Sequence, residues 1–223
     1  MEIVIITMTA EQLKTINNYL ERVGLVHQDV KLEVFDHMIS GIEDKMRNRK
    51  ISFKNAFEEE KMNWKDDLKL SHSYWIGLAW TAPKLVISKT VKAIKKAYLL
   101  SLLYCIPVVL FFFILNTKGS QLLEIVIGII EFSILFGLVF YHFQILKTKQ
   151  KSSFQFLFKI NCVGMAFAYL LYNPLVSNII GIFKGEHLSY VGLIFHSYAI
   201  VFSRFLFQFA LNHLRTVEKL RVE

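Results

Sequence analysis

Four long apolar segments constrain this chain more than any other feature of its sequence. A helix needs about 20 mainly apolar residues to cross the hydrocarbon core of a bilayer. The segments are residues 98–115, 122–146, 154–175 and 190–211, and they account for the mean hydropathy of +0.40. The sequence therefore predicts a bundle of four transmembrane helices over residues 98–214.

The segments that flank these spans are alternately rich and poor in basic residues along the chain. Five lysines lie at 84–96, three at 147–153 and three basic residues in the tail at 215–223, whereas each of the other two loops has one lysine. The positive-inside rule places the richer segments in the cytoplasm. The first apolar run, at 1–8, is short for a signal peptide and has no basic n-region. We expect a multi-pass protein of the inner (cytoplasmic) membrane with both termini cytoplasmic.

The net charge of +8 arises at the membrane flanks and gives no sign of a nucleic-acid-binding face. Residues 1–83 hold 11 basic and 13 acidic residues, so this part is nearly neutral. No direct contact with nucleic acid is expected. Cys105 and Cys162 lie in apolar runs without a CxxC pair, which predicts packed free thiols rather than a disulfide or a metal site.

Residues 1–72 read as a small helical head. Thr9 and Gln12 form a capping box for a helix near 10–23, and Ser52 can cap a third helix. The helix between them, near 28–47, carries apolar residues spaced three and four apart, which predicts a packing stripe. The stripe comprises Leu32, Phe35, Ile39, Ile42 and Met46. No strand is expected in the head. The fold class is all-α, a small cytoplasmic three-helix head followed by a four-helix transmembrane bundle.

A stem at 73–97 joins the head to the first span. Trp75 and Trp80 suit the headgroup region, and Lys92, Lys95 and Lys96 suit an anionic leaflet. Two interpretations stay open, an amphipathic helix lying in the membrane interface and a cytoplasmic stem that only obeys the charge rule.

The second helix of the head carries a polar group on one side. Asp29, Glu33 and Asp36 share a helical face, and His37 lies four residues after Glu33. A metal site would need ligands from another element, so we predict neither a metal nor a cofactor. A Glu33–His37 contact and a solvated face are the plain alternatives. Among functional interpretations, a face that docks a partner is favoured over catalysis.

The stretches "EQLKTINNYLERVGL", "VFDHMISGIEDKM" and "SFKNAF" resemble the HAAS-type helical domain. The matching positions are Tyr19, Leu20, Asp36, His37, Gly41, Glu43, Ser52, Phe53 and Phe57. The resemblance covers the N-terminal ~55 residues of the chain. In that bacterial family such heads precede several membrane spans and are associated with PadR-type transcription regulators. The resemblance implies a cytoplasmic protein partner, for example a transcription regulator.

Polar residues inside the predicted spans need a reason, because charge is costly in hydrocarbon. Glu124, Glu131 and His142 fall on one face of the second span, and Arg204 and Gln208 form a polar edge of the fourth. We predict a buried Glu131–Arg204 pair and place His196 on a different side of its helix. A purely structural pair, a proton or cation path and a ligand or lipid pocket stay open as interpretations.

These features favour a non-enzymatic membrane protein of signalling or regulatory type whose head docks a cytoplasmic partner. The alternative is a small transporter or channel component that uses the acidic face of the second span. A lipid-acting enzyme with His37 or His196 as base is a further alternative, although the spans contain no GxSxG, no HExxH and no paired aspartates. Association into homo-oligomers stays open.

Overall fold

The computed structural model describes residues 8–115, 121–176 and 189–222. The loops predicted to carry a single lysine, Lys118 and Lys184, lie outside these residues. Seven α-helices are defined within the described part: α1 Ala10–Arg22, α2 Gln28–Arg49, α3 Phe53–Leu68, α4 Lys84–Leu115, α5 Gln121–Leu146, α6 Ser153–Tyr172 and α7 Tyr190–Val222. The predicted all-α fold, with a three-helix head and four long apolar helices, is confirmed.

The chain divides into two compact units. The first comprises the residues up to Val91 together with Gln150–Ser153, and the second comprises Lys92–Lys149 and the residues from Phe154 onward. Residues 73–91, assigned from sequence to the stem, thus belong to the first unit. The first residue of α6, Ser153, also belongs to it.

Local signals set the ends of the head helices as expected. The Gln12 backbone N–H donates to Thr9 Oγ1 at 3.3 Å, and the Thr9 N–H donates to Gln12 Oε1 at 2.9 Å, which completes the capping box. Ser52 Oγ accepts from the Asn55 N–H at 3.4 Å at the start of α3. Gly24 has φ of 81°, a left-handed conformation that glycine adopts without strain, and it follows α1.

The packing stripe predicted for α2 is only partly correct. The helix buries Val30, Val34, Met38 and Ile42, of which only Ile42 belongs to the predicted set. Leu32 is 40% exposed, and Phe35, Ile39 and Met46 are half-buried. Two apolar series run along this helix, and packing against α1 and α3 selects the series spaced four apart.

A short hairpin leads into the first membrane helix. Leu70–Ser71 pairs antiparallel with Ala82–Pro83, which corrects the expectation of a head without strands. The loop between them contains a 3₁₀ turn at Tyr74–Ile76 and exposes both Trp75 and Trp80. From Lys84 one continuous helix of 32 residues reaches Leu115, so the helical part of the stem and the first span form one element.

Four of the helices have the length and composition of membrane spans. They cover Lys84–Leu115, Gln121–Leu146, Ser153–Val176 and Tyr190–Leu220. Large apolar side chains such as Phe111, Phe136 and Phe167 lie on their outer surfaces. Such helices are stable in lipid and not in water, because apolar surface on this scale is unfavourable in contact with solvent. The chain is a multi-pass membrane protein.

Candidate functional site

Helices α5 and α7 and the end of α6 bring three polar side chains together inside the second unit. Glu131 Oε1 lies 2.7 Å from His196 Nδ1, and Asn173 Nδ2 donates to Glu131 Oε2 at 3.2 Å. Glu131 is 1% exposed, His196 5% and Asn173 1%. We call Glu131, His196 and Asn173 the Glu131 cluster.

Backbone atoms fix the position of Asn173 in this cluster. Its Nδ2 also donates to the Gly128 carbonyl at 3.2 Å, while its Oδ1 accepts from the Leu175 N–H at 3.0 Å and the Val176 N–H at 3.4 Å. Asn173 therefore caps the turn that begins at Pro174, a favourable pair of residues for a helix start. A Cβ atom on Gly128 would lie 2.5 Å from Leu175 Cγ, so glycine at this position leaves room for the Leu175 side chain against α5.

The predicted Glu131–Arg204 pair is wrong, because His196 occupies the place next to the carboxylate. Arg204 lies eight residues further along α7, which is about 12 Å along the helix axis and turned away from His196. Its side chain is exposed and lines a cavity together with Gln208. His196, which the sequence analysis placed on another side, is the interior partner.

Two other members of the predicted acidic face lie further from the cluster. Glu124 is half-buried, and His142 is half-buried with its ring centroid 6.5 Å from that of Phe158. His142 lies eleven residues from Glu131, about 16 Å along α5, which is too far for direct proton exchange. The face itself turns into the bundle, since Gly128, Glu131 and Leu138 are buried.

The chemistry open to the Glu131 cluster follows from its composition. A carboxyl and an imidazole 2.7 Å apart can exchange one proton, and the pair is neutral overall whether that proton lies on oxygen or on nitrogen. Adding or removing a proton leaves a net charge in a region of low dielectric, where charge is costly. The cluster therefore places two ionisable groups in the bundle interior as one neutral, hydrogen-bonded pair.

In the first unit, half of the predicted docking face contacts other parts of the same unit. Asp29 Oδ1 accepts from the Ser153 N–H at 2.8 Å, and the Ser153 hydroxyl donates to Asp29 Oδ2. Lys89 Nζ donates to Glu33 Oε2 at 2.9 Å and lies 3.9 Å from Asp29 Oδ2. Asp29 thus caps the start of α6, and Glu33 forms an ion pair with a lysine of α4.

The other half of this face, Asp36 and His37, lies at the surface. The His37 ring is near Trp64, with 6.4 Å between centroids. Trp64 Nε1 in turn donates to Glu60 Oε1 at 2.9 Å. A Cβ on Gly41 would lie 2.9 Å from that oxygen, so the glycine leaves room for the buried Glu60 carboxylate. Glu33 is bonded to Lys89 and not to His37, so the Glu33–His37 contact is not formed, whereas the exposed Asp36 and His37 agree with a solvated face.

Histidine 27 precedes α2 and is buried in the first unit. Burial lowers the pKa of its imidazole, a shift that Asp29 opposes and Lys151 reinforces. Next to it, the Gln28 N–H donates to the Lys151 carbonyl at 2.8 Å. The loop segment at Lys151 is therefore hydrogen-bonded to the first turn of α2.

The lysines predicted to lie at the membrane interface are at the surface of α4. Lys92, Lys95 and Lys96 lie exposed on α4. Across residues 8–115, 121–176 and 189–222, no group of three His, Cys, Asp or Glu side chains is placed to hold a metal ion. Comparison with protein-family models, with curated proteins and with solved structures finds no match. The resemblance of the head to the HAAS-type domain stays a prediction.

Proposed function

We propose that this chain is a signalling or regulatory membrane protein whose head docks a cytoplasmic protein on the exposed part of α2. One observation carries the proposal. On α2, Asp29 accepts a hydrogen bond from Ser153, the first residue of α6. Glu33 accepts one from Lys89, which lies in the second turn of α4. A protein that binds α2 and shifts it changes contacts at the starts of two membrane helices. Both contacted residues belong to helices that continue into the membrane spans.

The partner's chemistry follows from the surface of α2. Asp36 offers a carboxylate and His37 an imidazole, beside the half-buried Phe35 and Ile39. Such a surface suits a partner that presents a basic residue next to apolar side chains. A cytoplasmic transcription regulator, as the HAAS-type resemblance implies, is the partner that we propose.

Site-specific crosslinking in native membranes tests this proposal. A photo-reactive residue at position 37 is expected to capture one soluble protein, and Asp36→Lys is expected to abolish the capture by reversing the charge at the contact. Asp66→Lys makes the same change on an exposed aspartate of α3 and should leave capture intact. Capture that survives Asp36→Lys, or no capture from the wild-type head, overturns the proposal.

The Glu131 cluster favours a second candidate function, a transport component that moves protons or cations. Buried ionisable residues in membrane helices commonly mark ion pathways or proton relays. Proton flux into vesicles containing the purified chain should then be lost with Glu131→Gln, which keeps the shape of the side chain and removes its charge. Ser133→Ala, on the exposed side of the same helix, is the control. Flux that is absent from the wild-type chain, or that persists in Glu131→Gln, removes this candidate.

A further inference from the structure

A cavity of about 310 Å³ lies between α4 and α7 in the second unit. Its walls combine two cations, Lys96 and Arg204, with the amides of Gln208 and Asn212 and the hydroxyl of Tyr104. The remaining lining is apolar and includes Leu100 and two phenylalanines of α7. The cavity thus offers positive charge and hydrogen-bond donors beside a hydrocarbon wall.

Among the residues that the structure describes, neither cation is paired with an anion. Within the described part of the chain, no carboxylate lies within 4 Å of the Lys96 or Arg204 nitrogens, and neither side chain is hydrogen-bonded. Arg204 lies seven residues inside the predicted end of the fourth span at 211, which is about 10 Å along the helix. A cation at that depth normally pairs with an anion or extends toward the interface.

We propose that this cavity binds an anionic phospholipid, with its phosphate held by Arg204 and Lys96. Arginine binds phosphate through two parallel N–H donors, and lysine adds a point charge. Gln208, Asn212 and Tyr104 can donate to glycerol and ester oxygens, while Leu100 and the phenylalanines line the path of an acyl chain.

The position of the cavity along the bundle agrees with this occupant. Lys96 belongs to the lysine-rich segment before the first span, and Asn212 comes just before the basic tail. The charge rule places both in the cytoplasmic leaflet, where anionic lipids attract basic residues. Basic pockets between membrane helices on that side are suited to anionic headgroups. The lipid site is independent of the docking face and of the Glu131 cluster.

The test uses the full chain purified in an uncharged detergent and three probes: phosphatidylglycerol, phosphatidylcholine and soluble glycerol phosphate. Native mass spectrometry measures retained lipid, and thermal unfolding measures stabilisation. We expect phosphatidylglycerol to remain bound and to raise the Tm, while the other two probes do neither. Arg204→Gln and Lys96→Gln should each weaken phosphatidylglycerol binding by about tenfold or more, because each removes a charge-assisted hydrogen bond.

Matched variants separate the site from general charge. Lys92→Gln removes a lysine one turn before Lys96, and Arg215→Gln removes an arginine of α7; both residues are exposed and outside the cavity, so binding should stay at the wild-type level. Ala93→Phe fills the cavity without changing charge and should abolish binding. Equal binding of phosphatidylcholine, equal stabilisation by glycerol phosphate, or retained binding in the Arg204→Gln, Lys96→Gln and Ala93→Phe variants overturns the proposal.

Discussion

The Glu131 carboxylate of α5 lies 2.7 Å from the His196 imidazole of α7, and both side chains are almost wholly buried. The pair joins two helices of the bundle that pack along each other. Because each group satisfies the other, the pair is tolerated in the interior, whereas either group alone would be a polar group without its main partner. Glu131 and His196 should therefore behave as a unit under substitution.

A double-mutant cycle tests this relationship. His196→Leu leaves the carboxylate without its imidazole and should lower the free energy of unfolding by about 3–5 kcal/mol. Adding Glu131→Leu to His196→Leu removes the unpaired group, so the double variant should be more stable than His196→Leu alone. Unfolding in mixed micelles measures all four proteins. Additive effects of the two substitutions would show that the contact carries no coupling.

The sequence located Glu131 on an interior face but did not identify its partner. Counted from the helix starts, Glu131 is ten residues into α5, and His196 and Arg204 are six and fourteen residues into α7. Both candidates therefore differ from Glu131 in depth by about 6 Å. Opposite charge favoured Arg204. The signal in favour of His196 is a row of small residues on the same face of α7, which marks the side that packs in the bundle. These residues are Ala199, Ser203 and Ala210, and all three are buried.

The head shows the same division between local and long-range information. The caps at Thr9 and Ser52 depend on residues three positions apart, and both were predicted. The buried series of α2 depends on how α1 and α3 pack, which a single helix cannot reveal. The bond from Ser153 to Asp29 joins residues 124 positions apart, and no local pattern predicts it.

Gly128 should tolerate no side chain. A Cβ there would lie 2.5 Å from Leu175 Cγ and 3.3 Å from Asn173 Oδ1, so Gly128→Ala must displace the Leu175 side chain and crowd that of Asn173. We expect a loss of about 1–3 kcal/mol in the free energy of unfolding, as for other overpacked sites. Gly164→Ala is the matched control, since no atom of the described residues lies within 4 Å of its Cβ position, and it should be neutral or slightly stabilising. Equal effects of the two substitutions would contradict the close approach.

Asp29 and Asp36 lie on one helix, but replacing them should change the free energy of unfolding by different amounts. Asp29→Ala removes the acceptor for the Ser153 N–H and hydroxyl, and the loss of such a cap costs about 0.5–2 kcal/mol. Asp36→Ala removes an exposed side chain and should change stability by less than about 0.5 kcal/mol. Hydrogen exchange of the Ser153 amide reports the first change. Unaltered exchange at Ser153 in Asp29→Ala would show that the cap is not formed in the membrane.

The stability of the first unit should fall as the pH falls below about 6.5, the ordinary pKa of histidine. Because burial lowers the pKa of His27 in the folded state, the unfolded chain binds a proton in this window that the folded chain does not. The contribution of neutral His27 to the free energy of unfolding is complete above pH 6.5 and is lost as the pH falls through the lowered folded pKa.

The protection factor of the Gln28 amide, bonded to the Lys151 carbonyl, measures the loss. His27→Gln should reduce this pH dependence, whereas His72→Gln, an exposed histidine of the same unit, serves as the control for losing an imidazole. An unchanged slope in His27→Gln would assign the effect to another group.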